Sequence, residues 1–250
     1  MISEKEFANG FGGFWSECLP FLTPQLVGEM NLAHEVLEDS DGKIVKPFSS
    51  GGDNSQNDFM AETAFELFSN AVKTGEDVLT LAEDQKLLID VASNTISRLL
   101  GLKTYWRSIK QKFPKTTTEE SIALAVRIED FFASRPSERP LVIQPRLKGC
   151  GILDSCYGDI MAGSCLYESK MVDRNLRSAD LRQLLIYCAL NYRSQQYEIN
   201  RVAVLNVRRA IVYDFTVDEL ARKASRKSAP ELFHQIADFL SNFETMHQTI

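Results

Sequence analysis

Apolar residues recur along this chain in two rhythms, and the change between them falls near residue 110. Before it, apolar positions return every three or four residues, the spacing of one buried helix face. That spacing predicts helices over residues 60–72 and 83–100, with Gly101 as the stop of the second. Residues 14–37 carry helix-length spacing too, interrupted near Pro20 and Pro24. Between these segments, EDSDGKIVKPFSSGGDNSQND (38–58) is rich in Gly, Ser, Asn and Asp and reads as a long loop.

After the change, TTTEESIALAVRIEDFFAS opens on a capping box, Thr117 followed by Glu120, and predicts a helix to about Ser134. The connector SRPSERP leads into shorter runs with strand character at 141–147, 157–162, 165–172, 201–207 and 210–215. A helix is expected over 178–193, with Ser178 as its N-cap and Leu181, Leu184, Leu185, Cys188 and Tyr192 on one face. Another starts from the Thr216/Glu219 capping box, and a last one covers 230–246. VAVLNV (202–207) is apolar at nearly every position, as expected of a strand covered on both faces. The expected fold is α/β (α+β): a mixed central sheet flanked by helices over 111–250, preceded by a mainly helical region over 1–110.

One hairpin in this pattern carries charge. In GDIMAGSCLYESK (158–170), Gly163-Ser164 suits a two-residue loop, because glycine accepts positive φ at little cost. That loop pairs Ala162 with Cys165, Met161 with Leu166, Ile160 with Tyr167, and Asp159 with Glu168. Lys170, two residues beyond Glu168, projects on the same face. Opposed side chains lie about 4.5–5.5 Å apart at Cβ, so the two carboxylates repel unless something positive sits between them. Carboxylate-only ligation suits Mg²⁺, with Mn²⁺ as a substitute, and a neighbouring lysine can offset charge developing on a phosphate. The helix that follows places Gln183 and Tyr187 four residues apart, on one side at the edge of its apolar face.

Asp159, Glu168-Ser169-Lys170 and Gln183-x3-Tyr187, in strand–strand–helix–strand order, resemble the PD-(D/E)XK nuclease superfamily, closest to its RecB-like exonuclease branch. The resemblance covers about residues 117–220, and residues 1–110 resemble no family. It implies a restriction-endonuclease-like fold and Mg²⁺-dependent hydrolysis of DNA phosphodiester bonds, leaving a 5′-phosphate and a 3′-hydroxyl. It also implies that Asp159 and Glu168 bind the metal, that Lys170 assists the attacking water, and that Gln183 and Tyr187 steady the motif. Many members add a glutamate from the preceding helix, for which Glu129 and Glu120 both qualify. Gly158 stands where many members have proline. Small proteins of this superfamily resemble components of prokaryotic defence against phage or plasmids, which makes a larger partner such as an ATPase, docked through the N-terminal region, part of the expectation.

Charge and cysteine usage narrow the alternatives. The net charge of −6 is uneven: residues 1–134 hold 21 acidic and 12 basic side chains, residues 135–250 hold 13 and 16. DNA contact is therefore expected locally, from Arg146, Lys148, Arg174, Arg177 and Arg182 around the hairpin and its helix. A DNA-binding or scaffolding subunit without catalysis on the same fold is the alternative. The five cysteines are an odd number with no C-x2-C pair, so neither a disulfide framework nor a zinc site is expected. GFGG (10–13) lacks the following Lys-Ser/Thr of a phosphate loop. No apolar run approaches membrane-spanning length, and the N-terminus lacks a basic segment followed by an apolar one, so a cytoplasmic protein is expected.

Overall fold

Alternation along the strands divides the buried side chains between two cores, one on each face of a central sheet. The computed structural model describes residues 1–39, 42–49, 57–100 and 115–247. Three short helices, α1 (Glu4–Asn9), α2 (Gly12–Cys18) and α3 (Pro24–Leu32), precede a two-residue strand, β1 (Glu35–Val36). Then come α4 (Asn57–Thr74), α5 (Val78–Glu83), α6 (Gln85–Leu100) and α7 (Lys115–Ala133). Five strands follow: β2 (Leu141–Ile143), β3 (Arg146–Leu147), β4 (Cys156–Tyr157), β5 (Ile160–Ala162) and β6 (Cys165–Lys170). The chain continues through α8 (Ser178–Ser194), β7 (Arg201–Asn206), β8 (Ile211–Thr216), α9 (Val217–Ser225) and α10 (Ala229–His247).

Among the described residues, six strands form one mixed sheet in the order β1–β8–β7–β6–β5–β2, and β3 with β4 forms a separate ribbon. β6 and β7 run parallel, a pairing that needs a long connection such as the crossover through α8; the other neighbours are antiparallel. Leu166, Val202, Val204 and Tyr213 face α8, with α1, α2, α3, α9 and α10 around it. Tyr167, Ala203, Leu205 and Val212 face the other way, onto Leu67 and Phe68 of α4 and Leu124, Ile128 and Phe132 of α7. Residues from both sides of position 110 thus share the same two cores. The central position expected of residues 202–207 is what the structure has, and all six are buried.

Capping side chains set several of the helix starts. Ser3 and Glu6 form a reciprocal box at α1, Thr23 caps α3 ahead of Pro24, and Asp77 caps α5. Thr216 caps α9 as its sequence predicts, its Oγ1 accepting from the Glu219 N–H at 3.2 Å.

Elsewhere the boundaries differ from the pattern. The expected helix over 83–100 is α6 and starts at Gln85, because Glu83 ends α5 and the Asp84 carboxylate takes the N–H groups of Lys86 and Leu87 at the start of α6. Thr117 is not an N-cap: α7 already includes Lys115, and Thr117 is buried inside it. α8 begins one residue earlier than a Ser178 cap requires, with Arg177 as N-cap and the Asp180 carboxylate accepting the Arg177 N–H at 2.8 Å. Tyr192 is 39% exposed rather than part of that helix's buried face. The apolar spacing over 14–37 resolves into α2, α3 and β1, and α1 lies before them. Gly101 lies outside the described residues.

The largest change is at 141–147, where one strand was expected. Gln144 takes positive φ (52°) and Pro145 has no N–H to donate, so the run breaks into β2 in the main sheet and β3 in the ribbon. The strand expected over 157–162 breaks at the matching place, between β4 and β5.

A turn after the ribbon's first strand ties the N-terminal segment to this end of the molecule. Ile2 donates to the Ile152 carbonyl at 2.9 Å, accepts from Asp154, and bridges to Leu153. Gly151 allows this with φ +55°, and a Cβ there would lie 1.9 Å from the Leu240 carbonyl oxygen of α10. Gly151→Ala therefore meets both a strained backbone and a main-chain clash. It is expected to cost more than about 2 kcal/mol in urea unfolding, against a gain of roughly 0.5–1 kcal/mol for Gly28→Ala inside α3, where nothing lies within 4 Å of the added atom.

Candidate functional site

The hairpin expected around Gly163-Ser164 is present in the expected register: Ala162 faces Cys165, Met161 faces Leu166 and Ile160 faces Tyr167. Gly163 supplies the turn with φ +56°. The fourth pair differs. Asp159 has left the ladder, because Gly158 donates to Pro145 and the chain turns there toward the ribbon. Its main-chain carbonyl accepts from Gln144 at 2.8 Å, and its Oδ2 accepts the Ser169 N–H at 2.7 Å. The aspartate thus reaches β6 through its side chain, between the two charged residues it was expected to join.

Period-two alternation along β6 sends Glu168 and Lys170 to the α8 face, where Leu166 is already buried. There the four side chains of the sequence motif close a ring. Lys170 Nζ donates to Glu168 Oε1 at 2.6 Å and to Gln183 Oε1 at 3.3 Å. Gln183 Nε2 donates to the Tyr187 hydroxyl at 2.7 Å, and that hydroxyl donates to Glu168 Oε2 at 3.3 Å. Gln183 and Tyr187 are not rim residues: they are 5% and 1% exposed. Helical spacing of four stacks them, and the sheet covers them.

Burial and the Glu168 charge hold the Asp159 carboxyl well above the usual carboxylate range, against the opposing pull of Lys170 and the Ser169 N–H. For Lys170, burial works against the charge, but Glu168 and Asp159 outweigh it and hold the ammonium above its ordinary value. The Tyr187 hydroxyl is raised, first by burial and then by Glu168 and Asp159, so it stays a donor.

Asp159 lines a cavity of about 170 Å³ at the end of the sheet, together with Glu62, Phe65, Gln144, Tyr157 and Ser169. Glu62 of α4 went unnoticed in the sequence; the only signal was an acid between Phe59 and Phe65 on an amphipathic helix, a hundred residues from the hairpin. Glu129 is elsewhere. Its carboxylate accepts from the Val78 N–H at the start of α5, at 3.1 and 3.3 Å, and it lines a different cavity with Asp77 and Arg139. Glu120 lies partly exposed on α7 and does not line the Asp159 cavity.

Among the described residues no three His, Cys, Asp or Glu side chains converge closely enough to hold a metal ion by themselves. The donors at the hairpin are carboxylate oxygens, and their crowding is what a cation relieves. Asp159 and Glu168 are thus oxygen donors of the kind a hard, largely hydrated divalent cation takes, while Glu62 lines the cavity with Asp159 and Glu168 points to the α8 face.

The five expected cationic contacts divide. Arg146, Lys148 and Arg177 are exposed. Arg174 is committed to a bidentate pair with Asp180, at 2.6 and 2.9 Å, which lowers the aspartate's pKa despite its burial. Arg182 turns inward: it donates to the Ala8 carbonyl at 3.2 Å and lies over the Trp15 ring at 5.7 Å, joining α8 to α1 and α2. All five cysteines are buried free thiols.

A raised carboxyl binds its proton in the folded state where the unfolded chain has lost it, so stability falls as pH rises from the ordinary Asp range through the raised value. Thermal melts in EDTA should therefore show Asp159→Asn losing less stability than the wild type as the pH rises above the ordinary Asp range. Lys170→Met leaves Glu168 buried without its cation and is expected to cost roughly 3 kcal/mol in urea unfolding at neutral pH. Compared with protein-family models, curated proteins and solved structures, the chain matches none of them, so the geometry of this site carries the functional reading.

Proposed function

We propose that this protein is a metal-dependent DNA nuclease with a restriction-endonuclease-like fold, acting at the cavity beside Asp159. The observation that carries the reading is the convergence of Asp159, Glu168 and Lys170 at one strand end, with Gln183 and Tyr187 closing the ring behind them. A buried ion pair is a weak stability device, since apolar residues of similar volume serve as well or better. Retaining four polar side chains and an unneutralised aspartate here makes better sense as chemistry.

Mg²⁺, or Mn²⁺ in its place, would supply a Lewis acid and lower the pKa of water. The residues' own work follows from their states. Glu168, and Asp159 once its proton is displaced by the cation, would supply the anionic oxygens, and each carboxylate keeps lone pairs beyond those already in hydrogen bonds. Lys170 is kept protonated, so it serves as a donor that stabilises charge growing on a phosphate, rather than as a base. Tyr187 and Gln183 fix the rotamers of Glu168 and Lys170 from behind. Hydrolysis consumes one water and breaks the P–O3′ bond, leaving a 5′-phosphate and a 3′-hydroxyl. The acidic balance of the chain supports work within a larger assembly, with DNA delivered by a more basic partner.

A second reading, a DNA-holding subunit without catalysis, is favoured by one feature: Glu168 is already satisfied by Lys170 on one oxygen and Tyr187 on the other. Cleavage of linear, circular and single-stranded DNA separates the two. The nuclease predicts cleavage with Mg²⁺ or Mn²⁺ that EDTA abolishes and that falls about a hundredfold or more in Asp159→Ala, Glu168→Ala and Lys170→Ala. DNA retention with no cleavage under any metal condition supports the holding subunit instead.

A further inference from the structure

The cavity beside Asp159 contains a second feature that the hydrolytic reading does not use. Tyr157 lines it and is 56% exposed, unlike Tyr167, Tyr187 and Tyr213, which are 1% exposed. It sits on the ribbon, two residues before Asp159, directly opposite Arg146, whose side chain is also exposed. Cross-strand partners share one side of a ribbon, so Arg146 extends from the same side as Tyr157 just outside the cavity lining, where its guanidinium donates to the Ser155 hydroxyl at 3.4 Å.

The ring's position is fixed through the main chain. Gly158 donates to Pro145 at 3.0 Å and Gln144 donates to the Asp159 carbonyl at 2.8 Å, one bond on either side of the step from ribbon to sheet. Gly158 is itself confined, since a Cβ there would meet Leu166 Cδ1 at 2.8 Å. The ribbon and the catalytic aspartate are therefore held in register.

Electrostatics adds an independent argument. None of the described residues lining this cavity is basic, Glu62 and Asp159 are acidic, and the chain carries −6 overall. Phosphate neutralisation, the usual source of DNA affinity, is thus weak here. Stacking of a base on an aromatic ring does not depend on charge, and it needs a base whose face is free. In a duplex that face is covered by its neighbours.

We propose that Tyr157, with Arg146 beside it, is a stacking platform for an unpaired nucleobase next to the scissile phosphate, which makes single-stranded DNA the substrate class. This rests on the nuclease reading. Arg146 contacts the phosphate that follows the stacked base, and a duplex would have to fray before its strand reached Asp159.

The test is binding in EDTA of a short single-stranded oligodeoxynucleotide carrying 2-aminopurine, with the same sequence as a duplex in a parallel arm. The expected result is fluorescence quenching and tighter binding of the single strand by the wild type. Tyr157→Phe should keep both, and Tyr157→Ala should lose the quenching and about tenfold or more in affinity. Equal binding by wild type and Tyr157→Ala, or preference for the duplex, overturns the platform while leaving metal-dependent cleavage standing. Absence of any DNA binding by the wild type, together with absence of cleavage, overturns both.

Discussion

The ion pair between Lys170 and Glu168 is the constraint around which the rest of this structure is arranged. Both residues lie on one strand and point to the same face, so each needs the other and neither can turn away. An ammonium and a carboxylate in such a place demand further hydrogen bonds, and only a helix packed directly on the strand can supply them. α8 does so with Gln183 and Tyr187 at a spacing that brings both to the strand. The ring thus ties α8, the crossover between two parallel strands, to the first of them, β6. The helices around α8 then complete the cover that keeps the ring dry.

Asp159 stands apart from this closed system. Its carboxylate faces Glu168 across the strand end with one N–H, Lys170 and, least of the three, Lys5 to offset burial, and these do not suffice. The site therefore has a satisfied half and a strained half. The satisfied half can hold its geometry without a ligand, while the strained half gains from whatever positive group enters the cavity.

Local patterns carried most of this into the sequence. Gly163-Ser164 fixes the hairpin register, and period-two counting from it places Leu166, Glu168 and Lys170 on one face. The four-residue step from Gln183 to Tyr187 is equally local. What escaped was long-range or a matter of backbone detail. Glu62 reaches the cavity only because α4 packs across the sheet, which nothing near residue 62 announces. Glu129 had the right helix and the wrong direction, since the start of α5 captures its carboxylate. The break at Gln144-Pro145 hides inside an apolar run that reads as one strand, and it creates the ribbon that carries Tyr157. Within residues 1–110, α4 and α6 were legible as helices and α2 with α3 as one interrupted run, while α1, α5 and the cover these helices give to both faces of the sheet were not.

The bridge between Ile2 and Leu153 sets an order for assembly during synthesis. Its two partners are separated by more than half of the chain, so the contact cannot form until most of the protein has left the ribosome. Until then Phe7 and Trp15, which end buried against residues of α8 and α10, have no surface to pack on. The hairpin and ring, by contrast, lie within residues 159–187 and need only a short length of chain. The ribbon turn leaves the ribosome before the hairpin and ring, so the nascent protein must carry an uncovered aromatic segment until α8 and the last helix follow. That interval is when a chaperone, or an early partner, has the most to offer it.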